Sequence, residues 1–251
     1  ICFNSLDNYM NTLNQAISEP YPDYAALGVE KNGQYVQLNT GILQIENEYY
    51  SDIRPKRVAL AGEQPNQALQ ARGVEYIEVR CLDINPFEPT GLTLNQLYFL
   101  DTFLIFCLLE PSPKFNTAEC EEVKFNLQQV VNYGRQENLQ LSQQSFATAA
   151  QELMQQLKQV AQLLDSGLPE GKTGFSQAVV AEEAKLANPE LTPSAQLLAK
   201  IKQEGGYLQA VLQLAKEQQQ ALTGQPLADE VNQQLTQAAK ESLAKQLEIE
   251  A

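Results

Sequence analysis

The segments LQIENEYYSDIRPKR (Leu43–Arg57) and YIEVRCLDINPF (Tyr76–Phe87) decide the fold of this chain. Both alternate apolar residues with charged or aromatic ones, and successive side chains of a β-strand point to opposite faces. In the second segment, Tyr76, Glu78 and Arg80 therefore share one face, opposite an apolar row. We expect strands that pack the apolar face on a core and present carboxylates beside a guanidinium on the other.

The charge of the chain limits its partners. Its 251 residues carry a formal net charge of −14, with a pI near 4.5. Nucleic acids and anionic membrane surfaces both attract basic proteins, so we expect neither as a partner. The length allows one good-sized domain, or two small ones, with a real core.

The chain has no histidine, which excludes Ser-His-Asp and Cys-His catalysis and histidine-ligated zinc. Cys2, Cys81, Cys107 and Cys120 fit no C-x-x-C spacing, so no zinc or redox motif is predicted. The sequence begins at Ile1 rather than Met, without a basic-then-apolar leader. We therefore expect part of a longer cytoplasmic protein with reduced thiols.

Before residue 92 the pattern predicts one helix, a hairpin and three strands. Apolar residues recur at helical spacing from Phe3 to Ile17. Asn32-Gly33 tolerates the positive φ of a type I′ turn and so predicts a tight hairpin. The predicted strands are Ile42–Glu46, Arg57–Leu60 and Val74–Cys81.

From Leu92 the period becomes helical. Leu97–Leu109 is apolar nearly all round and predicts a buried helix, too short for a membrane span and interrupted by Asp101. Gly205-Gly206 is a potential break in the fourth of the helices that follow. Strands first and helices after indicate an α+β protein. The later predicted helices are Thr117–Asn132, Ser145–Leu164, Thr173–Ala187, Pro193–Leu222 and Ala228–Ile249.

One string, SGLPEGKT (Ser166–Thr173), looks like a phosphate-binding P-loop with its first glycine replaced by serine. A P-loop follows a strand, whereas this string follows a predicted helix. We therefore interpret it as a connecting loop in which Thr173 caps the next helix.

The two charged segments suggest chemistry as well as fold. Three cations, Arg54, Lys56 and Arg57, cluster in an otherwise acidic chain, which indicates an anionic ligand. Three carboxylates would converge as oxygen ligands for Mg²⁺ if their strands pair: Glu46, Glu48 and Glu78. Carboxylates, a divalent cation and Arg or Lys together are typical of phosphoryl transfer. The alternative is an exposed sheet face with an ordinary Glu/Arg pair.

Two long strings resemble the proteobacterial type of glutamate–cysteine ligase: QIENEYYSDIRPKR (Gln44–Arg57) and EYIEVRCLDINPFEPTG (Glu75–Gly91). The likeness extends to Pro22-Asp23-Tyr24 and Tyr133-Gly134-Arg135 and thins after residue 145. It implies the C-terminal half of that enzyme, with part of a glutamine-synthetase-like antiparallel sheet followed by a mainly helical C-terminal region. Residues 1–140 would be the end of the catalytic domain and residues 141–251 the helical region.

The resemblance implies a reaction that joins the γ-carboxylate of L-glutamate to the amine of L-cysteine, the first step of glutathione biosynthesis. ATP is the co-substrate, Mg²⁺ the metal and γ-glutamyl phosphate the intermediate. The other metal carboxylates and most glutamate- and ATP-binding residues would belong to the missing N-terminal half. We therefore expect this chain alone to be inactive.

The resemblance also implies residue roles. Glu78 is similar to a Mg²⁺ ligand, Arg80 to the catalytic guanidinium that meets the transferring phosphoryl group, and Tyr50 to a wall of the cysteine pocket. We add Arg54 and Lys56 as cofactor-binding residues for the nucleotide; the alternative is salt bridging to Glu46 or Glu48.

Two rival functions are also compatible with the sequence. The first is another carboxylate–amine ligase, or a guanidine kinase-like enzyme, on the same sheet. The second is a non-enzymatic interaction module in which the helical residues 145–251 bind a partner.

Overall fold

The computed structural model describes residues 3–169, 173–224 and 226–250. The chain divides into two compact units, one comprising Ile1–Asp83 and Glu110–Gly134, the other Ile84–Leu109 and Arg135–Ala251. Helices and two small antiparallel sheets confirm the α+β class.

The first unit holds the sheets. Its elements are α1 (Leu6–Ser18), α2 (Pro22–Leu27), β1 (Glu30–Lys31), β2 (Gln34–Tyr35), a 3₁₀ turn (Glu46–Glu48), β3 (Ile53–Lys56), α3 (Pro65–Arg72), β4 (Tyr76–Val79) and α5 (Thr117–Tyr133). Strand β1 pairs with β2, and β3 pairs with β4.

The predicted first helix and hairpin are both present. Helix α1 begins at Leu6 rather than Phe3 because Ser5 is its N-cap and accepts a hydrogen bond from the amide of Asn8. At the hairpin, Asn32 and Gly33 have φ angles of 54° and 77°, the positive values that its turn requires.

The predicted strand Ile42–Glu46 is wrong. In its place, the side-chain oxygen of Gln44 accepts from the amide of Leu38, and the side-chain amide of Asn39 donates to the Gln44 carbonyl. These local bonds satisfy the backbone that a strand ladder would have used. The 3₁₀ turn Glu46–Glu48 follows directly.

The strand predicted at Arg57–Leu60 lies earlier, at Ile53–Lys56. Arg57 does not continue the ladder: its side chain donates to the carbonyls of Arg72 and Gly73, at the end of α3. Helix α3, which the sequence pattern did not predict, then leads into β4, where the strand prediction is confirmed.

The faces of the β3–β4 pair are packed differently from the prediction. Ile53 and Ile77, on the apolar face, are 40% and 45% exposed. Arg54, on the polar face, is only 6% exposed and lines a small cavity with Leu13 and Leu69 from the unit's core. The expectation that the apolar face packs on a core is therefore wrong, because α1 and α3 contribute their buried side chains to the polar side.

The second unit is helical. Its elements are α4 (Leu94–Leu109), α6 (Phe146–Asp165), α7 (Phe175–Ala187), a 3₁₀ turn (Pro189–Leu191), α8 (Pro193–Glu204), α9 (Tyr207–Thr223) and α10 (Asp229–Glu250). The predicted later helices are thus confirmed, and Gly205, with a φ of 80°, ends α8 at the predicted break.

Helix α4 forms as predicted but is not buried. It packs one side on α6 and α7 through Phe99, Phe103 and Phe106, while Leu108 is 79% exposed. Within the described part of α4, Thr102 is the buried residue. Among all described residues, no helix has the length and apolarity that a bilayer crossing requires.

The start of α7 is held by a remote carboxylate. Residues 170–172 of the P-loop-like string lie outside the described residues, and Thr173 does not cap the helix. The carboxylate of Asp165 instead accepts hydrogen bonds from the amides of Gly174, Phe175 and Ser176, at 2.9, 3.0 and 3.0 Å. Burial would raise the pKa of Asp165, but these hydrogen bonds together outweigh it and lower the pKa.

We expect Asp165→Asn to destabilise the chain at pH 7 by about 1 kcal/mol, the usual value of a helix cap. A lowered folded-state pKa means that the stabilisation is complete above the unfolded pKa and is lost as the pH falls through the folded value. Urea unfolding followed by circular dichroism should therefore show a difference at pH 7 that shrinks near pH 3.

Asp101→Asn, on the exposed side of α4, is the matched control and should change stability by less than about 0.5 kcal/mol. A difference between Asp165→Asn and the native chain that persists unchanged at pH 3 would contradict this account of the cap.

Candidate active site

The register of the β3–β4 ladder assembles the candidate site. In the ladder, Arg54 lies directly opposite Glu78, and Lys56 lies directly opposite Tyr76. Directly opposed residues of an antiparallel pair project to the same face, and the amide of Arg80 continues the pairing by donating to the Asp52 carbonyl, 2.7 Å away. The polar face predicted from the sequence therefore exists.

Glu78 is the centre of this face. Its carboxylate lies 3.1 Å from Lys56 Nζ and 2.9 Å from the Arg80 guanidinium. The hydrogen bonds from Arg80 and then from Lys56 lower the pKa of Glu78. Lys56 thus pairs with Glu78, and not with Glu46 or Glu48 as the alternative interpretation had it.

Tyr50 joins the same group. The guanidinium carbon of Arg80 lies 5.2 Å from the centre of the Tyr50 ring, within the range of a cation–π contact. The ring is 71% exposed, so its other surface is free for a ligand. Arg80 therefore contacts both Tyr50 and Glu78, the other two residues that the sequence had singled out.

The expected convergence of Glu46, Glu48 and Glu78 is wrong. Glu46 accepts from the amide of Asn66, and Glu48 accepts from the amide of Gln44. No group of three or more Cys, Asp or Glu side chains suited to a metal occurs within the described residues. The cause is the 3₁₀ turn Glu46–Glu48, which replaces the strand on which the prediction depended.

The sequence reasoning missed the residues beneath the site. Tyr9, on the buried side of α1, forms a side-chain hydrogen bond with Arg54. Burial raises the pKa of Tyr9, and that hydrogen bond only partly offsets the rise. The helical spacing of Tyr9 and Leu13 was the signal that could have placed this tyrosine on the inner face.

A carboxylate outside this polar face, that of Glu63, also has a strongly lowered pKa. Hydrogen bonds from Arg72 and from the Leu60 amide lower the pKa of Glu63 to about 2. A guanidinium nitrogen of Arg72 lies 2.7 Å from Glu63 Oε2, so this salt bridge joins the loop before α3 to the last residue of the helix. A perturbed pKa therefore does not identify the site by itself; the clustering of charge around Glu78 does.

A family profile described as glutamate-cysteine ligase matches residues 1–130, which contain every candidate site residue. The chain belongs to the glutamate–cysteine ligase family. This confirms the resemblance that the two long strings carry. The matched part ends within α5, before the helices α6–α10.

Named relatives agree with this membership. The glutamate–cysteine ligases of Azotobacter vinelandii and Pseudomonas entomophila are 46% and 45% identical across 99% of this chain. The match takes in 48% of each relative, so the chain spans about half the length of the curated relatives it matches.

Solved structures show the same fold. A crystal structure of glutamate–cysteine ligase from Francisella tularensis in complex with AMP matches 99% of this chain and 50% of that chain, with a TM-score of 0.86 at 34% identity. A bifunctional glutathione synthetase from Pasteurella multocida matches 70% of this chain and 22% of that chain, with a TM-score of 0.53. At 22% identity the second match shows the fold alone.

The pairing around Glu78 predicts its titration. We expect Lys56→Met to raise the pKa of Glu78 toward the ordinary glutamate value, because one of the two cations that favour its charged form is lost. Carboxyl carbon chemical shifts followed from pH 2 to 7 would report it. Lys31→Met, in β1, is the control and should leave the Glu78 titration in place. An unchanged Glu78 pKa in Lys56→Met would show that the ion pair does not form in solution.

Proposed function

We propose that this chain is the C-terminal half of an ATP-dependent glutamate–cysteine ligase. That enzyme would join the γ-carboxylate of L-glutamate to the amine of L-cysteine through γ-glutamyl phosphate, the first step of glutathione biosynthesis. The observation that carries the proposal is the contact group of Tyr50, Glu78 and Arg80 on one sheet face, in a member of the ligase family. The AMP bound by the Francisella relative supports a nucleotide substrate.

The side chains of the polar face suit a phosphoryl group. Arg80 offers a planar guanidinium that can contact phosphate oxygens in pairs, and Lys56 adds a second cation beside it. Arg54 contributes to nucleotide binding through its charge, since its side chain is almost fully buried. One face of the Tyr50 ring is available to L-cysteine. The Tyr50 hydroxyl can donate a hydrogen bond to the carboxylate of that substrate.

The polar face supplies some, but not all, of the oxygen ligands that Mg²⁺ requires. Magnesium in nucleotide sites is commonly held by one or two carboxylates together with substrate phosphates and water. Glu78 supplies one such carboxylate, and the remaining ligands would come from the nucleotide and from the N-terminal half. When bound, the ion would neutralise phosphate charge. Lys56 and Arg80 would then exchange their contact with Glu78 for contact with the phosphate.

The N-terminal half of the relatives is the required partner. With one carboxylate at the site and no three-carboxylate group in the described ranges, we propose that the chain alone is inactive. The exposed apolar face at Ile53 and Ile77 supports a covering partner there. A cytoplasmic location, and a boundary near residue 140 between catalytic and helical parts, belong to the same proposal.

The alternatives make different demands. Another carboxylate–amine ligase would keep the Glu78–Arg80 pair but accept a different amine. An interaction module would depend on residues 145–251 and not on the sheet. The stacking of Arg80 on Tyr50 favours the ligase, because it ties the proposed cysteine pocket to the phosphate-binding cation.

The test joins this chain to the N-terminal half of the Azotobacter relative and measures phosphate release that needs ATP, L-glutamate and L-cysteine. Glu78→Gln should reduce the rate about 100-fold or more, in the range for losing one preorganised electrostatic contact. Glu75→Gln is the matched control, because Glu75 lies beside the same strand and pairs weakly with Arg57, at 3.7 Å.

Equal rates for Glu78→Gln and Glu75→Gln would refute the role of Glu78. Activity with ammonia or another amine in preference to L-cysteine would favour a different carboxylate–amine ligase. If the joined protein is folded but inactive with every amine, and a chain lacking residues 145–251 loses a binding partner, the interaction module is the better account.

A further inference from the structure

Arg54 is a buried cation whose hydrogen bonds are incomplete. Its side chain is 6% exposed, and its Nε is a fully buried donor without a partner among the residues that the structure describes. An unpaired buried donor is unfavourable, and ordered water is a common reason for its persistence.

A small cavity lies beside Arg54. About 20 Å³ of it is open to the centre of a water molecule, which is enough space for an ordered water. The side chains that line it and matter here are Tyr9, Leu13, Glu46, Arg54, Asn66 and Leu69.

Glu46 gives the cavity a hydrogen-bond acceptor. Its Oε2 accepts from the Asn66 amide at 2.9 Å, and a carboxylate offers about four acceptor positions in total. A water in the cavity would therefore meet a donor from Arg54 and an acceptor from Glu46. Two polar partners are the minimum for an ordered buried water.

We propose that this cavity is a binding site for a single structural water, which accepts from Arg54 Nε and donates to the Glu46 carboxylate. The water links β3, which carries Arg54, to the 3₁₀ turn Glu46–Glu48, two residues before Tyr50. Arg54 is then a positioning residue: it fixes the turn that leads to Tyr50 relative to the strand that pairs with Glu78. The site stands on the cavity and the unpaired donor, independently of the proposed ligase activity.

The test is made on the unaltered chain by nuclear magnetic resonance. The sequence has five arginines, so the Nε–H region holds few signals. The Arg54 Nε–H should exchange slowly with bulk solvent and show cross-relaxation to a long-lived bound water. Arg57 is the internal control: its Nε donates to the Gly73 carbonyl at 2.9 Å, so its signal should lack a bound-water contact.

A second measurement follows the link to Glu46. Arg54→Lys keeps the charge but removes the Nε donor, and it should shift the amide signals of Asn66 and Tyr50. Arg135→Lys, which lies outside the lining of the cavity, should leave both in place. Rapid exchange of the Arg54 Nε–H with bulk solvent, or a scalar coupling from it to a protein carbonyl, would overturn the water site. So would unchanged Asn66 and Tyr50 signals in a folded Arg54→Lys chain.

Discussion

The antiparallel register that sets Arg54 opposite Glu78 is the constraint on which the site depends. It brings Arg54, Lys56 and Arg80 to one face together with the Glu78 carboxylate. A one-residue slip of β3 would send Arg54 and Lys56 to the face opposite Glu78 and Arg80. Three cations therefore cluster in a chain whose net charge is −14, and such a cluster attracts an anionic ligand.

The same register places the polar face of the β3–β4 pair toward the core of the first unit. Arg54 reaches into the space beneath the sheet, where Tyr9 and the core residues Leu13 and Leu69 surround it. A cation placed there needs hydrogen bonds, and Tyr9 supplies one. Helix α1 therefore contributes both to the core of this unit and to the position of the Arg54 cation behind the site.

The sequence predicted what local rules determine. Turn chemistry at Asn32-Gly33, strand alternation at β4 and glycine at the end of α8 each correspond to the structure within a few residues. It failed where non-local or side-chain interactions decide. Hydrogen bonds of the Gln44 side chain replaced a strand, and the carboxylate of Asp165, at the end of α6, capped α7. Membership of Glu78 and Arg80 in one group was predictable because a strand fixes it; the burial of Arg54 was not, because α1 determines it.

The most direct test of the central claim is a crystal structure of the joined protein with Mn²⁺ and a non-hydrolysable ATP analogue. Anomalous scattering should place the metal within coordination distance of the Glu78 carboxylate, with Lys56 and Arg80 turned to the phosphates. A metal bound elsewhere, with Glu78 still paired to both cations beside a bound nucleotide, would contradict the assignment of this sheet face as the site of phosphoryl transfer.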